Sequence, residues 1–190
     1  MTALYVLVGV AAAIAIAFAL SFNRFVQQRN LISESWSNID TELRRRYDLI
    51  PNLVETVKGY AKHEREVLER VTAARAAAVA QTGPPEDQAK AEAPLVQALR
   101  QLFAVVEGYP QLKASDGFLA LQRELATTED RLAAARRFYN GNVRDYNRRV
   151  QSIPSSIVAH MFTFHESQYF EVEESIRAAG PPAVDVTPGG

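Results

Sequence analysis

Few residues in this 190-residue chain are of a type and spacing that does chemistry. The three histidines, His63, His160 and His165, are scattered, and no His-Glu-x-x-His pair occurs. His160 and His165 lie five apart, which does not stack two imidazoles on one helix face around a metal. Each reads as a surface or capping histidine. Glu129-Asp130 and Glu173-Glu174 are adjacent acids, and adjacent side chains on a helix point apart. They read as solvated faces and not as a general acid–base pair. The chain has no cysteine, so disulfides, thiolate zinc sites, a nucleophilic thiol and a lipidated N-terminal cysteine are excluded together. Neither a glycine-rich phosphate loop nor a GxSxG nucleophile elbow is present. The expectation is a non-enzyme, with no catalytic residue, metal, cofactor or small-molecule substrate.

The sharpest basic feature is Arg44-Arg45-Arg46. Such a run can bind phosphates, lipid headgroups or an acidic helix, or lie on a solvated face paired with Glu42 and Asp48. Arg46 differs from its neighbours because the hydrophobic register described below aims it inward. A buried arginine requires a carboxylate, and Glu64 or an acid from the third predicted helix is the candidate. The net charge of −1 argues against a nucleic-acid partner, which demands a basic face.

The elements that position these residues are helical. From Ala3 to Phe22 the chain is apolar except for Tyr5, Gly9 and Ser21, and the first charge is Arg24. About 20 residues at roughly 1.5 Å each match the hydrocarbon thickness of a bilayer. Ala17-Phe18-Ala19 has the small-x-small form of a signal-peptide cleavage site, but no basic residue precedes the span, so an uncleaved anchor is expected. Arg24 and Arg29 flank it on the C-terminal side, where they can meet anionic headgroups. The positive-inside rule then puts the N-terminus outside and the remainder in the cytoplasm.

Beyond the span a seven-residue register runs through Phe18, Phe25, Ile32, Ile39, Arg46, Leu53, Tyr60, Val67 and Ala74. A second set is Phe22, Arg29, Trp36, Leu43, Ile50, Val57, Glu64, Val71 and Ala78. This is the seam of a helix packed on other helices. It crosses Pro51 in phase, which predicts one helix bent at the proline, from about 23 to 80, roughly 85 Å if straight. Gly83-Pro84-Pro85 predicts a turn, followed by a second helix over about 91–108 with Leu95, Leu99, Leu102, Val106 and Tyr109 on one side. Ser115-Asp116-Gly117 opens a third helix with Phe118, Leu125, Leu132, Tyr139, Tyr146 and Ile153 in register, and Phe138, Tyr139 and Tyr146 filling space between helices. Pro154 ends it, and Ser155-Ser156 starts a short helix through Phe162. Thr163-Phe164-His165-Glu166 has the form of a capping box and predicts a last helix through about Arg177. No sustained alternating pattern occurs, so the fold class is all-α.

The segments ESWSNIDTELRRRYDLIPNLVETVKGYAKHE (34–64), LFAVVEGYPQLKASDGFLALQRELATTEDRLAAARRFYNGNVRDYN (102–147) and SIPSSIVAHMF followed by YFEVEE (152–174) resemble the LemA family. The resemblance covers about residues 1 to 175. It implies a bacterial single-pass membrane protein whose soluble part is a four-helix up-and-down bundle, with no accepted catalytic residues to transfer. It also implies a gene neighbourhood shared with HtpX-like membrane metallopeptidases, and relatives in systems that build intracellular membrane compartments. The Gly-Pro-Pro insertion and the C-terminal PPAVDVTPGG are departures from the family pattern.

These readings divide the chain into a transmembrane anchor (1–23), a helical bundle (24–178) and a disordered tail (179–190). The expected function is a membrane-anchored scaffold that organises itself or partners at the bacterial inner membrane. The alternative is an adaptor or regulator of an HtpX-like metalloprotease. A first helix of that length outreaches its partners, so Phe25, Ile32, Trp36 and Ile39, with Arg44 and Arg45, form the expected interaction surface of a homo-oligomer.

Overall fold

The computed structural model describes residues 1–172. Six helices occur among them: α1 (Thr2–Tyr60), α2 (Arg65–Ala80), α3 (Pro85–Val106), α4 (Pro110–Lys113), α5 (Asp116–Gln151) and α6 (Ser155–Met161). No strand is present among the described residues, and the class is all-α. The residues divide into two compact units. One comprises Met1–Thr41 and Ala134–Phe170; the other is built on Glu42–Ala133.

Helix α1 passes through Pro51 without interruption, as expected. It stops at Tyr60, however, and does not continue to residue 80. Ala61–Glu64 form a turn closed by Ala61 N–H on Val57 O and Glu64 N–H on Ala61 O. The seven-residue register survives because Val57, Glu64 and Val71 keep their spacing across the reversal. Phase alone therefore does not distinguish a bent helix from a folded-back one.

In the unit built on 42–133, four helical segments alternate in direction: the end of α1, α2, α3 and the start of α5. Arg75 of α2 reaches back to Tyr47 of α1. Arg70 on α2 bonds Gln101 on α3 at 2.7 Å, and Phe103 on α3 meets Phe118 on α5 at 6.2 Å between ring centres. Leu43, Ile50, Leu53, Val57, Leu68, Val71, Leu95, Leu99, Leu102, Phe118 and Leu125 form its buried interior. Helix α3 begins at Pro85, earlier than the expected start near 91. Proline fits the first helical position because its missing N–H is unused there, and Glu86 and Asp87 complement the positive helix end.

In the other unit, α5 lies antiparallel to the first part of α1. Trp36 meets Tyr139 at 5.5 Å, Phe25 meets Tyr146 at 5.9 Å, and Arg149 donates to Gln28 at 2.8 Å. Ser115 caps the start of α5, accepting from Phe118 N–H at 3.4 Å. The register of α5 is buried through Tyr146, but Ile153 is 83% exposed because the helix ends at Gln151. Phe138 also points outward, at 55% exposed, although Tyr139 beside it is buried.

Helix α6 forms where Ser155-Ser156 predicted it. Ser155 does not cap it; its hydroxyl is shared between Arg149 O, in the last turn of α5, and Ser152 O just past that helix. The expected helix from Thr163 is absent over its described part. Thr163 has φ 52°, and Phe164 N–H bonds Ala159 O, the six-to-one closure of a Schellman helix end. Thr163 thus finishes α6 instead of starting a helix, and residues 164–172 are non-helical. The remainder of that expected helix and the expected tail at 179–190 lie outside the described residues.

Candidate functional site

Two constellations stand out, one in each unit. The first surrounds Arg46, which is 1% exposed. Its guanidinium bonds Glu129 of α5 at 3.0 Å and Glu92 of α3. Tyr47 Oη also donates to Glu92, and the Gln88 amide bonds Glu92, the Tyr47 hydroxyl and the Ala78 carbonyl. The carboxylate that the third predicted helix supplies is Glu129, which is 7% exposed and so does not lie on the solvated face expected for Glu129-Asp130, because it pairs with the buried Arg46. Glu64 plays another part, accepting from Tyr109 Oη at 3.2 Å. Burial by itself disfavours charge on Arg46, but Glu129 and Glu92 outweigh it and raise its proton affinity. Burial, then the charge and hydrogen bond of Glu92, push the Tyr47 phenol well above its ordinary value. Glu92 and Gln88 are missing from the sequence-derived candidates. The signal was present: they lie four apart and in line with Leu95 and Leu99 on an otherwise apolar face.

The cluster is a closed knot of charge. Both carboxylates are engaged by Arg46, and the side chains of Arg46 and Glu92 are 2% and 0% exposed. No group of three His, Cys, Asp or Glu residues suited to a metal ion occurs among the described residues. His63, His160 and His165 are all exposed, and His160 Nδ1 lies 2.8 Å from Ser156 O.

The second constellation is an asparagine clamp. Asn147 donates to Ser167 O at 2.9 Å and accepts from Ser167 N–H at 2.8 Å. Asn140 does the same with Phe170, at 3.1 and 2.9 Å. Tyr139 Oη adds a bond to Gln168 O at 2.8 Å. Seven residues of helix rise about 10.5 Å, and three residues of extended chain span about 10 Å, so the two amides match the backbone they hold. Neither asparagine is among the sequence-derived candidates. The repeat of Tyr139-Asn140 in Tyr146-Asn147 at one heptad spacing is the pattern that marks them.

The expected interaction surface is only partly exposed. Phe25 and Ile39 are each 0% exposed, and the half-buried Trp36 packs on Tyr139 and on Phe170 at 5.3 Å, a core role. Ile32 packs against the cluster of Phe25, Tyr146, Val158, Ala159 and Phe164. Length alone pointed to a bare stripe here, but α5, α6 and the clamped segment cover it. Arg44 and Arg45 are exposed, Arg45 lying 3.4 Å from Glu124. Arg24 and Arg29 are exposed, with Arg29 stacked 5.8 Å from the Phe164 ring. Helix α1 contains an 18-residue apolar stretch, none of it buried by the protein, that is long enough to cross a membrane.

An all-α chain with an uncovered apolar N-terminal helix defines a helical bundle with the composition of a membrane anchor. It belongs to the LemA family, whose pattern matches residues 35–185. It is similar to magnetosome protein MamQ 2 of Paramagnetospirillum magneticum, at 25% identity over 177 residues, covering 80% of this chain. It is also similar to protein LemA of Metamycoplasma hominis, at 26% identity over 156 residues, covering 80% of this chain and 69% of that one. Magnetosome protein MamQ of Magnetospirillum gryphiswaldense is 24% identical over 176 residues, covering 80% of this chain. The chain spans 65% of the length of these MamQ relatives.

Proposed function

We propose that this protein is a non-enzymatic, membrane-anchored assembly module of the bacterial inner membrane, with its N-terminus outside and its helical units in the cytoplasm. The observation that carries the reading is the uncovered apolar stretch of α1, which continues without a break into the helix that both units are built on. Arg24 and Arg29, immediately past the apolar run, support the orientation. The magnetosome names of two relatives agree with a role in assembling a cellular structure.

Oligomerisation or partner binding then takes place on faces that α1 keeps exposed. Val26 and Leu31 are 37% and 39% exposed beyond the span and replace the buried Phe25 and Ile39 as the positions to probe. The test introduces Val26→Cys or Leu31→Cys into this cysteine-free chain and oxidises native membranes. Crosslinked species, with itself or with another membrane protein, are the expected result. Their absence at both positions, with a monomeric mass in mild detergent, overturns the assembly role. Protease added to intact spheroplasts is expected to leave the units uncut, and digestion there reverses the orientation.

A further inference from the structure

The apolar run of α1 ends at Phe22, and the end of α6 is packed on that residue. Phe162 meets Phe22 edge to face at 4.8 Å, and Phe164 lies 5.6 Å from it. Phe18, one turn further into the apolar run, packs against the same cluster as Phe22. The end of α6 is therefore level with the last residues of the apolar stretch.

Helix α6 has two distinct faces. Val158 and Ala159 are buried in the core. Ile157 and Met161, one turn apart, are 50% and 63% exposed, and Phe162 is 48% exposed. Ile153, in the turn before the helix, adds an 83% exposed side chain. Four large apolar residues thus lie bare within ten positions of chain, at the height where the apolar stretch gives way to charge. Arg24, Arg29 and Arg148 are exposed in the same unit. Arg149 lies 6.0 Å from the Phe25 ring, and the nearby Glu166 accepts from Gln151 at 2.9 Å. Apolar side chains beside a surplus of arginines form the pattern of an interfacial helix on anionic lipid.

We infer that α6 and the turn before it are a second membrane contact, with Ile153, Ile157, Met161 and Phe162 inserted among the lipid headgroups beside the span. The occupant is lipid because this patch is continuous, through Phe162 on Phe22, with the apolar stretch of α1. The inference rests on the proposed anchoring of that stretch. Its consequence is orientation: one span leaves a unit free to rotate about α1, and a second contact fixes which side faces the bilayer.

The test uses the full cysteine-free chain carrying Ile157→Cys or Met161→Cys, spin-labelled and reconstituted in vesicles of phosphatidylcholine and phosphatidylglycerol. Ile14→Cys marks the span, and Val79→Cys, on an exposed position of α2, marks water. Collision with oxygen is compared with collision with a water-soluble nickel chelate. Labels at 157 and 161 are expected about 5–10 Å inside the headgroup boundary, shallower than the label at 14. If both match the label at 79 while 14 remains in lipid, the contact at α6 is wrong and the anchor stands. If the label at 14 is itself in water, the anchoring reading fails and takes this inference with it. Shielding of 157 and 161 from both reagents identifies a protein occupant and overturns the lipid assignment.

Discussion

A proline inside a helix leaves the carbonyl four residues back without its donor, and here that carbonyl belongs to Tyr47. Arg75 supplies the replacement, its Nε–H donating to Tyr47 O at 2.7 Å. Arg75→Met is expected to cost about 1–3 kcal/mol, the range for stranding a buried acceptor. In a Pro51→Ala background the helix regains its own N–H, so the same substitution is expected to cost less. Denaturant melts of the four-member cycle in detergent measure the coupling, and additive costs would show that the two residues do not cooperate. Arg46 makes a harsher demand. Arg46→Met strands Glu92 and Glu129 together and is expected to cost about 3–5 kcal/mol, whereas replacing all three with apolar residues is expected to recover most of the loss. Tyr139 links burial to pH: its phenol is pushed up to about 12 from an ordinary 10 by desolvation. The folded chain keeps that proton where the unfolded chain releases it. Stability from this group is therefore complete below pH 10 and declines as pH rises toward about 12. Urea melts through that window are expected to show a decline that Tyr139→Phe reduces, despite its lost bond to Gln168 O.

Among the elements, the segment at 164–170 is held from outside and owes little to its own propensity. Asn147→Asp keeps the acceptor for Ser167 N–H but loses the donor to Ser167 O, and Asn147→Ala loses both. Hydrogen exchange at the Ser167 amide is expected to rise in both variants, with the larger rise in Asn147→Ala. Unchanged exchange would show that the amide clamp is dispensable. This dependence explains what was legible in the sequence. The apolar stretch, the inward Arg46, the body of α5 and the short α6 all follow from local pattern. The reversal at Ala61–Glu64 does not, because it contains neither glycine nor proline and preserves the heptad phase. The capping-box pattern at Thr163 lost to the bonds that Asn140 and Asn147 make from another helix, which no local rule contains. Exposed positions such as Phe138 and Ile153 mark the same limit, since a register says which face a residue is on but not where the cover ends.

For the whole molecule, the expected boundary between anchor and bundle at residue 23 cuts through packing that belongs to both. Phe18 and Phe22 are apolar enough for the span, yet they lie against the core of the first unit. A chain starting at residue 24 is expected to be less stable than one starting at residue 18, by about 1 kcal/mol for each partly buried phenylalanine lost, below the roughly 1.5–3 kcal/mol of full burial. Thermal melts of the two truncated chains check this, and equal midpoints would show that neither ring supports the fold.

The division of the chain into units also has a temporal side. One unit is built on the unbroken run Glu42–Ala133, while the other needs both Met1–Thr41 and Ala134–Phe170. On a ribosome adding about 5–20 residues per second, the second half of that interrupted unit is complete only roughly 6–26 s after the first half. Until it does, Phe25, Ile39 and their neighbours have no α5, α6 or clamped segment to cover them. Each newly made chain therefore passes through a stage in which the seam next to its apolar stretch is bare. During those seconds the seam is open to a chaperone or to another chain at the same stage of synthesis, and the Asn140 and Asn147 clamp, completed last, closes it.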